Sequence, residues 1–320
     1  MKNFWVDLPK PFTVLAPLDG VTDVVFRQIV TELGKPDVLF TEFTSCDGLQ
    51  SVGSEKVAQN LKFYPNEQPI VAQIWGANPE NFYKTAKLIK ELGFVGVDIN
   101  MGCPARAVIE HGVCSALINN PRLAGDIIQA TKDGADGLPV SVKTRIGFGK
   151  ESIEDWIGFL LRQKIATLTV HLRTVEELSK VPAHWELMPQ IMTLRNALAP
   201  ETLIIGNGDI VSLQEVQEKF DLYGCDGFMI GRGIFANPWV FNPSKKEATR
   251  EDRIETFVKH IDLYGKTWGA ERNFAPLKKF CKTYINNFEG AARCREKLME
   301  AETLEELRNG VADLNDMVEA

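Results

Sequence analysis

Polar side chains recur at the ends of short apolar segments along much of the chain. Each such segment ends at, or just before, residues that carry amide, carboxylate, thiol, imidazole or cationic groups. Any one of them has an ordinary explanation, because loop residues are mostly polar. If the segments are parallel strands whose ends meet on one rim, however, the same residues form a single polar site. These residues are Asp19, Glu42, Gln73, Asn100, Cys103, Lys143, Arg145, His171, Arg173, Asn207, Asp209 and Arg232.

Eight short segments rich in branched apolar residues would position these side chains, and stretches of helical character separate them. Apolar runs of this length with Gly, Pro or polar neighbours are typical of buried parallel strands. In the clearest helix, Asn78 can cap, Pro79 suits the first turn, and Phe82, Ala86 and Ile89 share a face. The pattern predicts an α/β fold, a (β/α)8 TIM barrel. The predicted strands are 13–16, 38–41, 70–73, 96–99, 140–143, 167–170, 203–206 and 227–230.

Two glycine-rich stretches, 206–209 and 231–233, follow the last two predicted strands. In barrel enzymes the corresponding loops often bind a phosphate, because glycine allows close backbone approach and an arginine such as Arg232 adds a charged fork. The stretches favour a phosphorylated cofactor, and the alternative is that these glycines only make turns. A doubly wound sheet is the alternative fold, but no Gly-x-Gly-x-x-Gly with a later acidic residue supports it.

The last part of the chain has a different character. After residues 237–239 there is no further β-rich run, and several amphipathic helical patterns follow. We therefore predict a barrel domain at 1–243 and a C-terminal helical domain at 244–320, with the boundary near 243–246. Two units agree with the length of 320 residues, since a single core seldom grows beyond about 250 to 300 residues.

The composition is that of a globular protein, with 44% hydrophobic and 25% charged residues. No window is apolar enough to span a membrane, and the N-terminus lacks the apolar stretch of a secretory signal, so we expect a cytoplasmic protein. The six cysteines form no paired spacing, and the four histidines form no ligand motif. Reduced thiols and no metal are therefore expected. The net charge of −7 disfavours indiscriminate binding of polyanions, but global charge does not decide whether the protein has a local basic face.

Six motifs occur in the order found in the dihydrouridine synthases, and the chain resembles this family across the whole predicted barrel. The stretch 277–298 is also similar to the family's helical RNA-binding domain. Two departures concern glycines that are common in the family, because this chain has Leu172 and Cys114 at those positions. The motifs are 16–23 (APLDGVTD), 100–104 (NMGCP), 142–145 (VKTR), 170–174 (VHLRT), 207–209 (NGD) and 230–233 (IGRG).

The resemblance implies an FMN-dependent tRNA-dihydrouridine synthase that reduces the C5–C6 double bond of specific uridines in tRNA to 5,6-dihydrouridine. NADPH or NADH would be the transient reductant, and the protein is expected to be a monomer. Hydride would pass from reduced FMN to C6. Asn100, Arg145 and Arg173 match positions expected to bind the substrate. The positions that match FMN contacts are Pro17, Leu18, Asp19, Gln73, Lys143, His171, Asn207, Gly208, Asp209, Gly231 and Arg232.

The resemblance assigns Cys103 as the proton donor to C5. This chemistry is reasonable, because a thiol with a pKa of about 8.5 is mostly protonated at neutral pH and can act as an acid. A nucleophilic cysteine would instead need its thiolate stabilised. Without the motif, Cys103 could be a small buried apolar residue. Cys114 is an alternative thiol, although only Cys103 lies in the Gly-Cys-Pro context.

The C-terminal region concentrates basic residues between aromatic ones. Lysines at i and i+4 share a helix face that can follow RNA phosphates, although such runs are often only solvated surfaces. Two rival functions stay open. One is an FMN barrel oxidoreductase acting on a free pyrimidine or an enone, and the other is an RNA-binding chaperone without catalysis. The basic residues are Lys278, Lys279, Lys282, Arg293, Arg295 and Lys297, and the aromatic ones are Phe280, Tyr284 and Phe288.

Overall fold

The computed structural model describes residues 3–245, 247–269 and 273–316, and its centre is one parallel sheet. Part of the predicted domain boundary, Lys246, lies outside the described residues, as do 1–2 and 317–320 at the ends of the predicted domains. The strands are β1 (Phe12–Leu15), β2 (Leu39–Phe40), β3 (Thr44–Ser45), β4 (Ile70–Trp75), β5 (Gly96–Met101), β6 (Val140–Arg145), β7 (Thr167–His171), β8 (Leu203–Asn207) and β9 (Gly227–Ile230).

The sheet closes into a barrel. Its strand order is β1-β9-β8-β7-β6-β5-β4-β2, and the short β3 pairs with β4. A parallel bridge between Val14 and Val38 joins the two ends, with the Leu15 N–H donating to the Val38 carbonyl at 3.2 Å. The eight predicted strands and the TIM barrel are thus confirmed, and the doubly wound alternative is wrong.

Helices follow the strands on the outside of the barrel. In α4 the Asn78 side chain accepts the Glu80 N–H at 3.0 Å, Pro79 starts the helix, and Phe82, Ala86 and Ile89 are buried as predicted. The α-helices are α1 (Val24–Gly34), α2 (Cys46–Leu49), α3 (Ser54–Ala58), α4 (Pro79–Glu91), α5 (Arg106–Glu110), α6 (Pro121–Ala135), α7 (Gly158–Arg162), α8 (Met188–Leu198), α9 (Leu213–Tyr223), α10 (Gly233–Ala236), α11 (Arg250–Trp268), α12 (Ala275–Lys278), α13 (Cys281–Tyr284), α14 (Ala291–Met299) and α15 (Leu304–Asp316). Short 3-10 helices lie at Phe4–Asp7, Gln59–Leu61, Pro65–Glu67, Cys114–Asn119 and Trp185–Leu187, and a π-helical turn lies at Ile153–Ile157.

An apolar core fills the lower part of the barrel interior. Trp5, from the segment before β1, packs against Phe12 and Phe40 with ring centroids 5.7 and 6.3 Å apart. The Phe12 ring occupies the space that a side chain at Gly227 would need, because a Cβ there would lie 2.2 Å from the ring. Among the described residues, aromatic side chains therefore fill this end of the barrel interior.

The C-terminal helices α11–α15 pack on the barrel through an aromatic cluster. Phe26 of α1 lies 4.7 Å from Phe280 and 5.7 Å from His260, measured between ring centroids. Phe280 and Tyr284, two of the aromatic residues interleaved with the predicted basic residues, are 3% and 0% exposed and therefore contribute no RNA-facing surface. They form core instead, because Phe280 packs against Phe26 of the barrel and the Tyr284 ring stacks on Phe257 of α11 with centroids 5.0 Å apart. None of the helices in the part of the chain that the structure describes is long and apolar enough to cross a membrane.

Candidate active site

A cavity of about 660 Å³ opens at the carboxyl ends of the barrel strands. It collects every residue that the sequence indicated as a catalytic, cofactor or substrate position, from all sides of the barrel. Glu42 does not line it and lies instead on a neighbouring cavity of about 250 Å³. The lining residues of predicted function are Pro17, Leu18, Asp19, Gln73, Asn100, Cys103, Lys143, Arg145, His171, Arg173, Asn207, Gly208, Asp209, Gly231 and Arg232.

Cys103 lies in the loop after β5 and faces this cavity. The Asn100 side-chain oxygen accepts the backbone N–H groups of Gly102 and Cys103, both at 3.0 Å. The Ser115 hydroxyl donates to the Cys103 carbonyl at 2.7 Å. Burial raises the pKa of the Cys103 thiol, so the thiol is neutral at physiological pH. The loop therefore holds a protonated thiol at the cavity wall.

Three basic side chains, those of Lys143 and Arg145 on β6 and His171 on β7, approach one another. Burial, together with the charge of Arg145, lowers the pKa of Lys143 to about 8. The Lys143 ammonium donates to the Asn207 side-chain oxygen at 3.1 Å, and Asn207 is oriented by donating to the Met229 carbonyl at 2.8 Å. Burial and the nearby cations hold the pKa of His171 well below its ordinary 6.5. The site thus gathers positive charge in a poorly solvated place, which favours an anionic ligand.

His171 has a defined tautomer because of Arg173. The Arg173 guanidinium lies 3.1 Å from His171 Nε2 and can only donate, so Nε2 accepts and Nδ1 carries the proton. Arg173 also donates to the Val181 carbonyl at 2.7 Å and forms an ion pair with Asp209. Asp209 in turn accepts from Arg232 at 3.1 Å. The imidazole can therefore donate one hydrogen bond from Nδ1.

Arg145 supports the surrounding loops. Its guanidinium donates to the carbonyls of Gly102, Thr174 and Leu178, each at 2.9 Å. Burial, with the neighbouring Arg173, lowers its pKa to about 10, so it stays charged. These bonds tie the Cys103 loop to the loop after β7. The predicted substrate contact of Arg145 stays a prediction, as do the roles of the other lining residues.

The two positions that depart from the family pattern have different environments. Cys114 has a backbone φ of +53°, a left-handed conformation that glycine adopts most easily. Its thiol is 0% exposed, and burial raises its pKa far above the ordinary value. Leu172 is buried in the outer core next to His171. Cys114 does not line the cavity, so Cys103 is the thiol that faces a ligand there.

Sequence reasoning missed a polar group beneath the cavity. Asp98 of β5 is 0% exposed and accepts hydrogen bonds from the Ser141 hydroxyl at 2.6 Å and the Gln73 amide at 2.7 Å. Gln73 then accepts from the Asn100 amide at 3.1 Å. Alternation along the strand could have found it, because Asp98 and Asn100 are two residues apart and share the inward face.

The protein resembles members of one family along nearly its whole length. The model of the family described as dihydrouridine synthase (Dus) matches residues 14–319. A protein of Bacillus subtilis (strain 168), named probable tRNA-dihydrouridine synthase 2, is 47% identical over 310 residues, 96% of this chain and 95% of the relative. A probable tRNA-dihydrouridine synthase of Staphylococcus aureus (strain COL) is 45% identical over 310 residues, 96% of this chain and 94% of that protein.

Solved structures at low sequence identity share the fold. Morphinone reductase in complex with tetrahydroNAD superposes with a TM-score of 0.51 at 14% identity, over 71% of this chain and 84% of that one. A variant of NCR from Zymomonas mobilis gives 0.53 at 16% identity, over 79% of this chain and 95% of the other. These similarities support the barrel architecture alone.

Proposed function

The chain belongs to the dihydrouridine synthase family, and we propose that it is a tRNA-dihydrouridine synthase that uses FMN and NAD(P)H to reduce specific uridines. The observation that carries this proposal is the position of Cys103, a neutral thiol facing a cavity that also gathers positive charge. The rival barrel oxidoreductase would need a similar cavity. The extent of the family match, which includes the C-terminal helices, favours the RNA substrate.

The residues of the cavity fit FMN, which combines an anionic phosphate with a ring of hydrogen-bond donors and acceptors. Lys143 offers a buried ammonium whose pKa of about 8 would rise beside an anion. His171 offers the Nδ1 proton, and Arg232 is half exposed at the rim with part of its guanidinium free of Asp209. At Gly231 a side chain would meet Ala16 only at 3.6 Å, so the backbone lies open to a ligand.

When bound and reduced by NAD(P)H, FMN would supply the hydride that reaches C6 of uracil. The protein's own part is to provide a proton at C5. Cys103 is suited to this because burial keeps its thiol protonated and Asn100 fixes its backbone. After transfer the thiolate would lie near Lys143 and Arg145, whose charges lower the thiol pKa against the effect of burial. The same cations would stabilise negative charge that develops on the uracil ring.

Binding of tRNA needs a surface that extends beyond the cavity. We propose that the helical region, 244–320, supplies it and that 1–243 is the catalytic unit. Two of the predicted basic residues are engaged in the fold, because Lys278 donates to carbonyls at the end of α14 and Arg295 donates to the Ile285 carbonyl at 2.7 Å. The remaining four are exposed and can meet phosphates. They are Lys279, Lys282, Arg293 and Lys297.

The test is to map dihydrouridine in tRNA from cells that lack this protein and from cells rescued with variants. Wild-type protein should restore one or a few positions. Cys103→Ala should restore them poorly, because loss of a general acid slows proton transfer by roughly 10²- to 10⁴-fold. Cys114→Gly is the matched control, since glycine suits the φ of +53° and Cys114 does not face the cavity. Full rescue by Cys103→Ala would refute the assigned acid.

A second measurement separates the enzyme from the chaperone alternative. Purified protein should bind FMN and show its visible absorption. Protein that stays colourless after incubation with FMN would argue against both oxidoreductase functions.

A further inference from the structure

We propose that Asp98 is a positioning residue, which orients the loop of Cys103 through the side chains of Gln73 and Asn100. The inference rests on the proposed function in that it takes Cys103 as the acid. Asp98 touches neither the cavity nor the loop, because it lies one layer deeper in the barrel. Its influence must therefore travel along the hydrogen bonds that connect it to the loop.

These hydrogen bonds run in one direction. Both oxygens of Asp98 accept, one from the Ser141 hydroxyl and the other from the Gln73 NH₂ group. Burial raises the pKa of Asp98 only to about 6, so at pH 7 to 8 the ionised form dominates and can only accept. Gln73 must then turn its NH₂ group toward Asp98, which leaves its oxygen facing the Asn100 NH₂ group at 3.1 Å.

The orientation of Asn100 follows from that of Gln73. With its NH₂ group on Gln73, Asn100 presents its oxygen to the N–H groups of Gly102 and Cys103, both at 3.0 Å. If Gln73 turned over, two NH₂ groups would face each other, and one amide would have to move. Turning Asn100 would bring its NH₂ group against the two backbone N–H donors, and the loop would lose its anchor.

Asp98 has a second effect, because its charge also raises the pKa of Lys143. The two effects separate by substitution. Asp98→Asn removes the charge but retains an oxygen for Gln73. Its NH₂ group can donate to Ser141, whose hydroxyl already lies 3.4 Å from the Val97 carbonyl and can donate there. Asp98→Leu removes both the charge and the acceptor.

The experiment measures how fast iodoacetamide alkylates Cys103 in the FMN-loaded protein, with peptide mass spectrometry to separate it from the other cysteines. Asp98→Leu should change the rate about tenfold, as expected for a loop that loses one orienting buried hydrogen bond. It should also lower kcat for dihydrouridine formation about 10- to 100-fold, with KM for tRNA within about twofold, since the proposed phosphate contacts lie on the C-terminal helices and outnumber any contact of Asn100. Asp98→Asn should remain within about threefold of wild type in every measurement.

A double-mutant cycle tests whether the effect passes through Asn100. In Asn100→Ala the loop has already lost its anchor, so adding Asp98→Leu should change the alkylation rate no further. Asp98→Ala takes the place of Asp98→Leu if the latter does not accumulate as folded protein.

Three results would overturn the proposal. The first is equal impairment by Asp98→Asn and Asp98→Leu, which would assign the effect to the charge of Asp98. The second is additive effects of Asp98→Leu and Asn100→Ala in the double-mutant cycle. The third is an unchanged alkylation rate of Cys103 in Asp98→Leu. Alkylation needs no tRNA, so it decides the role of Asp98 even if wild-type protein forms no dihydrouridine. A wild-type protein that forms no dihydrouridine would count against the proposed function alone.

Discussion

Replacing Lys143 with Met should stabilise the FMN-free protein and lower its affinity for an anionic cofactor. Burial and Arg145 lower the pKa of Lys143 from 10.5 to about 8. One pKa unit corresponds to about 1.4 kcal/mol, so keeping this ammonium charged in FMN-free protein at pH 7 costs up to about 3 kcal/mol. Methionine has a similar length and no charge. Lys143→Met should therefore raise the free energy of unfolding of FMN-free protein by about 1 to 3 kcal/mol.

The difference in free energy of unfolding between Lys143→Met and wild type should decrease as the pH rises. Below pH 8, Lys143 is charged in the folded and the unfolded protein, and the full difference between variant and wild type is present. As the pH rises from 8 toward 10.5, the folded state loses its proton first. The unfolded state then binds more protons, so wild type gains stability and the difference closes. Denaturant unfolding at pH 7 and at pH 10 measures both ends of this range.

FMN should narrow the difference in stability at pH 7, by about 1.4 kcal/mol for each tenfold difference in FMN affinity. Wild type gains from pairing its ammonium with an anionic cofactor, whereas Lys143→Met should bind FMN at least about tenfold more weakly in a fluorescence titration. Lys150→Met is the control, because Lys150 is exposed and its removal changes net charge equally. The reasoning is refuted if Lys143→Met lowers the stability of FMN-free protein at pH 7, or if FMN affinity is unchanged.

Two further predictions concern the core. Burial lowers the pKa of His260 from 6.5 to about 3, so its stabilising contribution is present above pH 6.5 and is lost as the pH falls toward 3. In urea unfolding, the free energy of unfolding should fall by up to about 1.4 kcal/mol per pH unit below pH 6.5. His260→Phe should reduce this dependence on pH, and an identical dependence in the variant would contradict the assignment. Gly227→Ala should cost about 1 to 3 kcal/mol because its Cβ would lie 2.2 Å from the Phe12 ring. Adding Phe12→Leu should restore part of that loss, and a tolerated single variant would show that the ring can move.

The barrel strands were predictable because strands buried on both faces carry continuous apolar runs. The predicted starts at 70, 96, 140, 167, 203 and 227 are the observed ones. The predicted ends fall short for β4 to β8, because those strands continue in the ladder through polar residues such as Arg145 and His171. The candidate site could be predicted for the same reason, since in a barrel these polar ends meet at one rim.

The hydrogen-bond partners within the site could not be predicted. Arg145 resembles a substrate-binding residue in sequence, yet its guanidinium holds three carbonyls that come from two different loops. Asp98 stands inside an apolar strand with no sign of its link to Gln73, which is 25 residues away. Such pairings depend on which strands become neighbours and in what register, and local propensity carries neither.

The C-terminal helices show how the same ambiguity affects a surface. Phe280 lies in a run of lysines, a pattern shared by RNA-binding helices and by amphipathic helices that pack on a core. The structure places it between Phe26 and His260, so the barrel and the helical region share one continuous apolar core. Deleting the helical region would therefore expose Phe26 and disturb the barrel together with any RNA contact. The two contributions can be separated only at exposed cations such as Lys282 and Arg293, which leave this core intact.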